Sequence, residues 1–584
     1  MNSTTSRFGP RLTEDGVQFR LWAPDAKSVE LVTDDAQRMN PRDGWFSLDV
    51  PGARAGTRYQ FRIDGELTIA DPASRFQPDD VNGPSEVIDQ AYDWQCADWK
   101  GRPWEDAVFL ELHTGTFTPD GTFRAAIEKL DHVVRSGITA IELMPVADFP
   151  GRWNWGYDGV LWFAPDSSYG RPGDLKALID AAHARGLMVF LDVVYNHFGP
   201  EGNYLGRLAP QFFSKAQTPW GGAIDYSVPE VRAFPIENAL MWLSDYRFDG
   251  LRLDAVHAIA TPGQPHILHD LSAAVGGLVR ETGRHIHLVL ENDDNRAGLL
   301  APLEDPPRER YRAQWNDDYH HAWHAWLTDE SFGYYGDYKD SARHIARTMA
   351  EGFAYQGEPS PHRRGTKRGE KARELSPLAF VDFLQNHDQI GNRARGERLA
   401  SLAAPAMIEA ALTVLLLSPA PPLLFMGDEW GSQRPFPFFC DFKGDLADAV
   451  RAGRRREFAE AYADDKIDVP DPLAKATMRS AKLDWDTAQS GAGDERLMLT
   501  AALLRARREH VVPLLRDLTP GAATASFDGK TLQAEWRTAT KALRLAATFS
   551  AEPPPKLAAD TVIWERSSRD PQHPWTIVAG IGAV

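Results

Sequence analysis

The sequence contains very little cysteine. Only Cys96 and Cys440 occur among its 584 residues, which is too few for a disulfide framework or a cysteine-based metal cluster. The N-terminal stretch MNSTTSRFGP is polar and has no apolar core of the kind that a secretory signal carries. We therefore expect a reduced protein of the cytoplasm.

Long hydrophobic runs and positive charge are also scarce. The most apolar stretch, ALTVLLLSPAPPLLF (411–425), is broken by prolines and is too short to span a bilayer. The formal net charge at pH 7 is −18, and so acidic a chain is a poor partner for nucleic acid or an anionic membrane. We expect no partner of either class. The two cysteines give no reason to expect a covalent dimer, and we predict a monomer.

Both ends of the chain show the alternation of apolar and polar residues that is typical of β-strands. GVQFRLW, SVELV, GWFSLDV and RYQFRIDG follow a period of two, with turn residues between them. This pattern predicts a β-sandwich over residues 1–90, followed by a polar connector over 91–105. Short strands such as TLQAEW and ALRLAATF return near the end and predict a second β domain over 513–584.

The middle of the chain alternates short apolar runs with helical stretches. AVFLELH is followed by FRAAIEKLDHVVRSG, and LMVFLDVVYNH by VRAFPIENALMWLSDY. Alternation of this kind predicts a parallel sheet, and the number of units favours a closed (β/α)8 TIM barrel over an open sheet. The predicted fold class is therefore α/β, with a catalytic barrel and inserted loops over 106–512. One basic insertion, PHRRGTKRGEKARE (361–374), is predicted to be a solvated loop.

The stretch FDGLRLDAVH (248–257) has an unusual feature for a buried strand, because it carries both Arg252 and Asp254. Buried charges are costly unless they are paired or used. A structural ion pair would by itself be a sufficient explanation for these two residues, and the rest of the chain has to decide.

Carboxyl residues stand at the ends of three predicted strands. Asp254 follows LRL, Glu291 follows HLVL and Asp388 follows FVDFLQNH, and chemistry in a barrel enzyme lies at these strand ends. Such carboxyls suit glycoside cleavage, in which one attacks the anomeric carbon and another protonates the leaving oxygen. Arg252 would keep Asp254 ionised by charge pairing.

Other carboxylate chemistry fits the sequence less well. A metal site would need a tighter spacing of Asp, Glu and His ligands, and phosphoryl transfer would need a glycine-rich phosphate loop. Neither pattern is found in the sequence. We predict no cofactor and no essential metal.

Four ordered motifs resemble those of the α-amylase family of glycoside hydrolases. They are DVVYNH (192–197), GLRLDAVH (250–257), LEND (290–293) and FLQNHD (383–388). The N-terminal sandwich resembles the carbohydrate-binding-like domain of the debranching and branching members. Within the family, stretches such as QNHDQIGNR (385–393) resemble the branch that acts on maltooligosyltrehalose.

The resemblance implies a substrate and a reaction. The substrate is maltooligosyltrehalose, whose α-1,4-glucosidic bond next to the terminal trehalose unit is hydrolysed with retention, so that trehalose is released. A functional link to a maltooligosyltrehalose synthase is also implied. By motif, Asp254 is the nucleophile and Glu291 the general acid/base, while Asp388 binds sugar hydroxyls in the transition state.

The resemblance also implies a substrate-binding set. His197 and His387 would bind the sugar at the cleavage subsite, and His257 departs from the lysine that amylases often carry at its position. For the residues 316–320 the alternative is a polar loop with a helix N-cap. The full set is Tyr157, Asp158, His197, Arg252, His257, Asn316, Asp317, Asp318, Tyr319, His320, His387, Gln389 and Asn392. Candidates either for stacking on sugar or for core packing are Trp153, Trp155, Phe332, Tyr334 and Tyr335.

Two alternative functions stay open at this point. A glucan branching or debranching enzyme of the same family would use the same covalent intermediate, and the linkage in its product would separate it from a trehalose-releasing hydrolase. A non-catalytic glycan-binding protein is the other alternative. Relatives of that kind typically lose one of the three carboxyls, and all three are present here.

Overall fold

The structure is a computed structural model that describes residues 6–218, 220–259, 265–303, 309–459 and 469–584. In this part of the chain, no helix is both long enough and apolar enough to cross a membrane. Both cysteines are free thiols.

The N-terminal part consists of two antiparallel sheets, as the alternating pattern predicts. In the strand Gly16–Trp22 the residues Val17, Phe19 and Leu21 are buried, and Phe19 pairs with Leu48 of the neighbouring strand. The first sheet contains, in spatial order, Arg11–Leu12, Gly16–Trp22, Trp45–Pro51 and Asn40–Arg42. The second contains Ala36–Arg38, Val29–Val32, Arg58–Ile63 and Leu67–Ile69, with Ser85–Glu86 paired to Arg58–Ile63.

Eight parallel strands close into a barrel, which confirms the predicted fold class. All of their residues are buried, because a barrel covered by helices hides both faces of its sheet and favours continuous apolar runs. The barrel strands, numbered in chain order, are β1 Phe109–Leu112, β2 Ala140–Leu143, β3 Met188–Val193, β4 Gly250–Leu253, β5 His287–Leu290, β6 Ala313–Trp315, β7 Phe380–Phe383 and β8 Pro422–Phe425.

Helices connect the barrel strands. The stretch FRAAIEKLDHVVRSG forms two helices rather than one, because the chain tightens after the first and the N–H of Glu128 bonds to the carbonyls of Ala125 and Ala126. The main connecting helices are Phe123–Ile127, Leu130–Ser136, Pro172–His183, Pro229–Ser244, Ile267–Thr282, Asp317–Thr328, Ser341–Glu351 and Pro405–Leu417.

Shorter elements complete the barrel region. Three two-stranded ribbons are Ala147–Asp148 with Leu161–Pro165, Phe213–Thr218 with Gly221–Ile224, and Glu358–Pro359 with Lys367–Arg368. Further α-helices are Thr114–Phe117, Leu205–Leu208, His387–Gly391, Leu399–Leu402, Gly444–Glu457, Lys475–Ser480 and Gly491–Ala506.

The C-terminal part is one antiparallel sheet that packs against the barrel. Its strands, in spatial order, are Thr524–Phe527, Thr531–Arg537, Lys541–Thr548, Thr576–Ala583 and Thr561–Ser567. The indole N–H of Trp536 donates to the carbonyl of Met349 at 3.0 Å, which attaches the sheet to the helix Ser341–Glu351. The limits predicted for the individual domains stay a prediction.

Candidate active site

The carboxyl ends of the barrel strands surround one cleft of about 550 Å³. Strand β4 leads directly into Asp254, and β5 leads directly into Glu291. Asp388 lies in the short helix His387–Gly391 that follows β7. All three carboxyls line the cleft, so the barrel brings together residues that are far apart in the sequence.

Arg252 is the buried cation beside two of these carboxyls. Its Nη1 donates to Oδ1 of Asp254 at 2.6 Å and to the two carboxylate oxygens of Asp192 at 2.9 and 2.8 Å. Its Nη2 lies 4.0 Å from Oε2 of Glu291. The guanidinium carbon also lies over the ring of Trp315, 4.1 Å from the ring centroid. A buried charge is retained when it is paired in this way, and here two of its carboxyl partners, Asp254 and Glu291, line the cleft.

Asp254 is also held from the end of a neighbouring strand. The side-chain amide of Asn196, which follows β3, donates to Oδ2 and to the carbonyl oxygen of Asp254, in both cases at 3.0 Å. The next residue, Ala255, has a left-handed backbone with φ of 41°, a conformation that costs an L residue about 1–2 kcal/mol. In this conformation the N–H of Ala255 donates to Oε2 of Glu291 at 2.6 Å. The strained turn therefore connects the two carboxyls.

The surroundings of Glu291 favour its protonated form. Burial raises the pKa of the Glu291 carboxyl well above its usual range, and the charges of Asp254 and Asp317 add to the effect, while Arg252 opposes it. For Asp317, burial and the charges of Asp293 and Asp388 raise the pKa to about 7. A carboxyl with a raised pKa can act as an acid beside a second carboxyl that stays ionised.

The loop around Asp388 is fixed by side-chain hydrogen bonds. The amide of Asn392 donates to Oδ1 of Asp388 at 2.8 Å, and the N–H of Asp388 donates to Oδ1 of Asn386 at 2.9 Å. Gln389 donates to Oδ1 of Asp317 at 3.2 Å. The predicted residues Asp317, Gln389 and Asn392 therefore lie in the cleft together with Asp388.

Two histidines and a tyrosine form the wall beside Asp254. The hydroxyl of Tyr157 donates to Oδ2 of Asp192 at 2.6 Å, and its ring stacks on His387 with centroids 5.0 Å apart. Nε2 of His197 bonds to the carbonyl of Tyr157 at 3.0 Å. Asp158 accepts from the amide of Asn154 at 2.7 Å and also lines the cleft. The structure thus brings these four predicted residues together.

His257 lies in the cleft on the side of Glu291. Its side chain is exposed, and its Nδ1 accepts from the N–H of Asp293 at 3.3 Å. This contact joins the turn after β4 to the turn after β5.

Four residues predicted to bind substrate lie behind the cleft wall and do not line it. Asn316 is at the N-cap position of the helix Asp317–Thr328, but its amide donates to the carbonyl of Gly352 and to Asp382. His320 bonds to the carbonyl of Leu384 and to the hydroxyl of Tyr335. Asp318 and Tyr319 are fully buried, like the other two. Because a helix turns by about 100° per residue, only part of the run 316–320 can face the cleft.

The basic segment 361–374 does not behave entirely as predicted. Most of its residues are exposed, but Arg368 is buried and its Nη1 donates to Oδ1 of Asp318 at 2.5 Å. Arg363 forms ion pairs with Asp293 and Asp294. The solvated-loop prediction is wrong for these two arginines, because they neutralise acids at and behind the cleft wall.

Several residues that line the cleft were not predicted from the sequence. Asp293 belongs to the motif LEND and could have been found from it. The lining residues on the two-stranded ribbons show no sequence pattern that marks them as part of a site. The unpredicted lining residues are Trp220, Ala255, Asp293, Trp315, His321, Asp337, Tyr338, Ser360, His362, Arg363, Arg368, Asn386, Phe438 and Arg454.

Of the five candidate aromatics, Trp155 and Tyr334 line the cleft. Tyr335 is buried, and Phe332 is 61% exposed. Trp153 packs under Lys475, whose Nζ lies 5.7 Å from the centroid of the indole ring. Trp220, which was not among the candidates, stacks on His197 with ring centroids 5.3 Å apart and remains 46% exposed.

Within the described ranges, no group of three or more His, Cys, Asp or Glu side chains is arranged to hold an ion. The side-chain oxygen of Asn196, an atom type that can ligate a cation, bonds to Nδ1 of His197.

The chain matches two family profiles. The profile of the α-amylase catalytic domain matches residues 90–217, and that of carbohydrate-binding module 48, the isoamylase N-terminal domain, matches residues 7–74. The first match falls in the barrel region, and the second falls on the N-terminal sheets.

Similar proteins cover most of the chain. Malto-oligosyltrehalose trehalohydrolase from Deinococcus radiodurans is 42% identical over 522 residues, which are 88% of this chain and 85% of that protein. The enzyme of the same name from Saccharolobus solfataricus is 40% identical over 519 residues, with 88% and 89% covered. By contrast, a 1,4-α-glucan branching enzyme from Cutibacterium acnes is 33% identical over 266 residues and covers only 41% of either chain.

Solved structures share the whole architecture. An α-amylase-like protein from Salmonella typhimurium superimposes with a TM-score of 0.93 at 45% identity, covering 98% of this chain and 99% of its own. Pullulanase from Paenibacillus barengoltzii, in complex with maltohexaose and α-cyclodextrin, gives a TM-score of 0.68 at 19% identity, with 98% and 95% covered. The second likeness concerns the fold alone.

Proposed function

The chain belongs to the malto-oligosyltrehalose trehalohydrolases of the α-amylase family, and on this premise we propose the reaction that it catalyses. It is a glycoside hydrolase that cleaves the α-1,4-glucosidic bond next to the terminal trehalose unit of maltooligosyltrehalose. The products are trehalose and a shortened malto-oligosaccharide, whose new reducing end keeps the α configuration.

The roles of Asp254 and Glu291 follow from their surroundings. Asp254 attacks the anomeric carbon and forms a glycosyl ester, while Glu291 gives its proton to the oxygen of the departing trehalose. Glu291 then takes a proton from water, which attacks the same carbon and releases Asp254. Two inversions at one carbon give net retention.

One observation carries the proposal more than any other. Arg252 contacts Asp254 at 2.6 Å, whereas its distance to Glu291 is 4.0 Å. Asp254 is thus directly paired with a cation, while burial raises the pKa of Glu291. This asymmetry supports an ionised nucleophile beside a protonated acid.

The substrate contacts follow from the lining of the cleft. We assign Asp388 to hydroxyls of the sugar at the cleavage point, where a contact that strengthens in the transition state accelerates the reaction. Direct contacts are also assigned to Tyr157, Asp158, His197, His257, Asp317, His387, Gln389 and Asn392, which line the cleft. Asn316, Asp318, Tyr319 and His320 would act indirectly, by holding the wall from behind.

A product assay tests the reaction. Purified protein is incubated with maltotriosyltrehalose and with maltopentaose in parallel, without added metal, and the released sugars are separated by chromatography. We expect free trehalose from the first substrate and little attack on the second.

Other outcomes would change the assignment. Equal attack on both substrates would indicate an amylase. New α-1,6 linkages would indicate a branching enzyme, and cleavage of existing α-1,6 linkages a debranching enzyme. Each of these results would contradict the trehalose-releasing reaction while leaving the fold unaffected.

Three further features belong to the proposal. A synthase that converts the reducing end of a malto-oligosaccharide into trehalose must supply the substrate, and we propose a functional link to such an enzyme. We also propose a cytoplasmic monomer, in line with its free thiols. Light scattering coupled to gel filtration tests the monomer, since a mass near 65.0 kDa is expected and a doubled mass would contradict it.

A further inference from the structure

Glu111 lies in barrel strand β1 and does not line the cleft. Its side chain is only 1% exposed, and its Cα partners in the neighbouring strands are Glu142 of β2 and Phe425 of β8. A carboxylate that is charged at such a position needs a partner, because an unpaired buried charge is costly.

The partner of Glu111 is His387. Oε2 of Glu111 accepts from the main-chain N–H of His387 at 3.1 Å, and Oε1 makes a short hydrogen bond with the ring nitrogen Nδ1. An ionised carboxylate can only accept, so Nδ1 must carry a proton in this contact. Both oxygens of one carboxyl are thus used to hold one histidine.

Aromatic rings fix the plane of the His387 imidazole. Tyr157 stacks on it at 5.0 Å with an interplanar angle of 22°, and Trp155 meets it edge-on at 5.4 Å. Trp315 lies 6.1 Å away. The ring nevertheless lines the cleft, and no hydrogen bond from a described residue reaches its Nε2. With Nδ1 directed to Glu111, Nε2 is the nitrogen left for a ligand.

We propose that Glu111 is a positioning residue for the cleavage subsite. Its carboxylate fixes the imidazole of His387 and keeps the ring positively charged, so that Nε2–H donates to a hydroxyl of the sugar at the bond to be cleaved. This inference deepens the proposed function and rests on it.

The charges around His387 are consistent with an imidazolium. Burial acts to lower the pKa of His387, but the charge and hydrogen bond of Glu111, with a contribution from Asp388, outweigh burial and the opposing charge of Arg252, so the pKa is raised above its ordinary value. His387 in turn contributes to the low pKa of His113, which burial reduces to about 4 and which therefore stays neutral.

The neighbouring carboxyl Glu142 has the opposite character. Burial, together with the charges of Asp192 and Glu111, raises the pKa of Glu142 well above its usual range. Neither of its oxygens has a hydrogen-bond partner among the described residues. Glu142 is therefore a buried acid without a hydrogen-bond partner in the described part of the chain, next to the hydrogen-bonded Glu111, and it serves as a matched control.

The test compares Glu111→Gln with Glu142→Gln and the unaltered enzyme. The charged form of a histidine with a raised pKa is present below that pKa and is lost as the pH rises through it. Glu111→Gln keeps an acceptor for Nδ1 but removes the charge, so the pKa of His387 should fall. The alkaline limb of the kcat/KM profile should accordingly move to lower pH. In addition, kcat at pH 7 should fall by roughly 10²-fold. Glu142→Gln should leave the limb in place.

Two further measurements separate a positioning role from a structural one. Glu111→Asp keeps the charge, so its alkaline limb should lie close to that of the unaltered enzyme. In a His387→Asn background, Glu111→Gln should shift the limb no further, because the group that it acts on is gone. NMR of the unaltered enzyme with ring-labelled histidine, assigned with His387→Asn, should show His387 titrating above its ordinary value.

The outcomes are distinct from those of the product assay. An unshifted limb in folded Glu111→Gln, or a His387 that titrates below its ordinary value, would overturn the positioning role even if trehalose is released. Failure of the unaltered enzyme to release trehalose would overturn the proposed function. If Glu111→Gln does not fold, the NMR titration decides the question by itself.

Discussion

Nδ2 of Asn196 lies 3.0 Å from Oδ2 of Asp254, and this hydrogen bond joins the ends of β3 and β4. Oδ1 of Asp254 accepts from Arg252 of β4 itself at 2.6 Å, so both oxygens of the carboxylate are occupied, one by a donor of its own strand and one by a donor that follows the neighbouring strand. A carboxylate fixed in this way needs little reorganisation before it attacks an anomeric carbon. A position directly after a barrel strand therefore suits the nucleophile role that we propose for Asp254.

Asp254→Asn should abolish turnover while leaving binding intact. The amide has nearly the same shape and can still meet Asn196, but it cannot form the glycosyl ester. We expect kcat to fall by roughly four to six orders of magnitude, as for loss of a nucleophile in other enzymes. Calorimetric titration with maltotriosyltrehalose should give a Kd within about tenfold of that of the unaltered protein. Turnover that persists in this variant would mean that another residue is the nucleophile.

Glu291→Gln should affect substrates according to their leaving group. With maltooligosyltrehalose we expect a loss of about 10²–10⁴-fold, because the leaving oxygen then receives no proton. With a maltosyl fluoride, whose leaving group needs no acid, formation of the glycosyl-enzyme should be affected much less. Equal losses with both substrates, measured as the initial burst of fluoride or trehalose, would argue against Glu291 as the acid.

The pH dependence of the same pair gives a second measure. The pKa of Glu291 is raised, so its acid form is present at low pH and is lost as the pH rises through that pKa. The part of the alkaline limb that belongs to Glu291 should therefore vanish when Glu291→Gln is assayed with the fluoride. An alkaline limb that is unchanged in that variant would have to be assigned to other groups.

Arg252→Met should destabilise the protein as well as inactivate it. The change leaves Asp192 buried without its cation, and loss of one partner of a buried pair costs about 3–5 kcal/mol. Urea unfolding measures this free energy. Arg451→Met is the matched control, because Arg451 pairs with Asp448 and Asp471 at the surface, where little change in the free energy of unfolding is expected. Similar losses in both variants would contradict a buried ion pair at Arg252.

The two arginines of the basic segment, Arg363 and Arg368, should also differ in how much they contribute to the free energy of unfolding. Arg368 is buried against Asp318, so Arg368→Met should lower the free energy of unfolding by about 3–5 kcal/mol. Arg363 is partly exposed and pairs with Asp293 and Asp294 at the cleft. Arg363→Met should cost about 1 kcal/mol or less and should mainly raise KM. Urea unfolding and steady-state kinetics of both variants check this, and a reversed pattern would refute the assignment.

Some features of the site could be predicted because they depend on local sequence. Asp254 and Glu291 each follow a short apolar strand, and a parallel barrel places all such strand ends at one rim. The fourth and fifth residues after β7, His387 and Asp388, could be found for the same reason. The run 316–320 was harder, because the sequence does not say which side of the helix faces the cleft, and four of its five residues face away from it.

Residues that act through distant partners could not be predicted. Glu111 and His387 are 276 positions apart in the chain, and neither residue has a local pattern that names the other. Arg363 and Arg368 lie in a polar segment whose sequence is typical of a solvated loop, and only the fold brings the acids Asp293 and Asp318 opposite to them.

The sequence by itself determined the β domains, the closed barrel and the identity of the three carboxyls, because periodicity and strand-end chemistry are local properties of the chain. The tertiary structure decided which charges face one another. It paired Arg252 with Asp192 as well as Asp254, brought the amide of Asn196 to Asp254, and placed Glu111 behind His387. The protonation states of buried groups depend on these through-space distances, which a linear pattern does not contain.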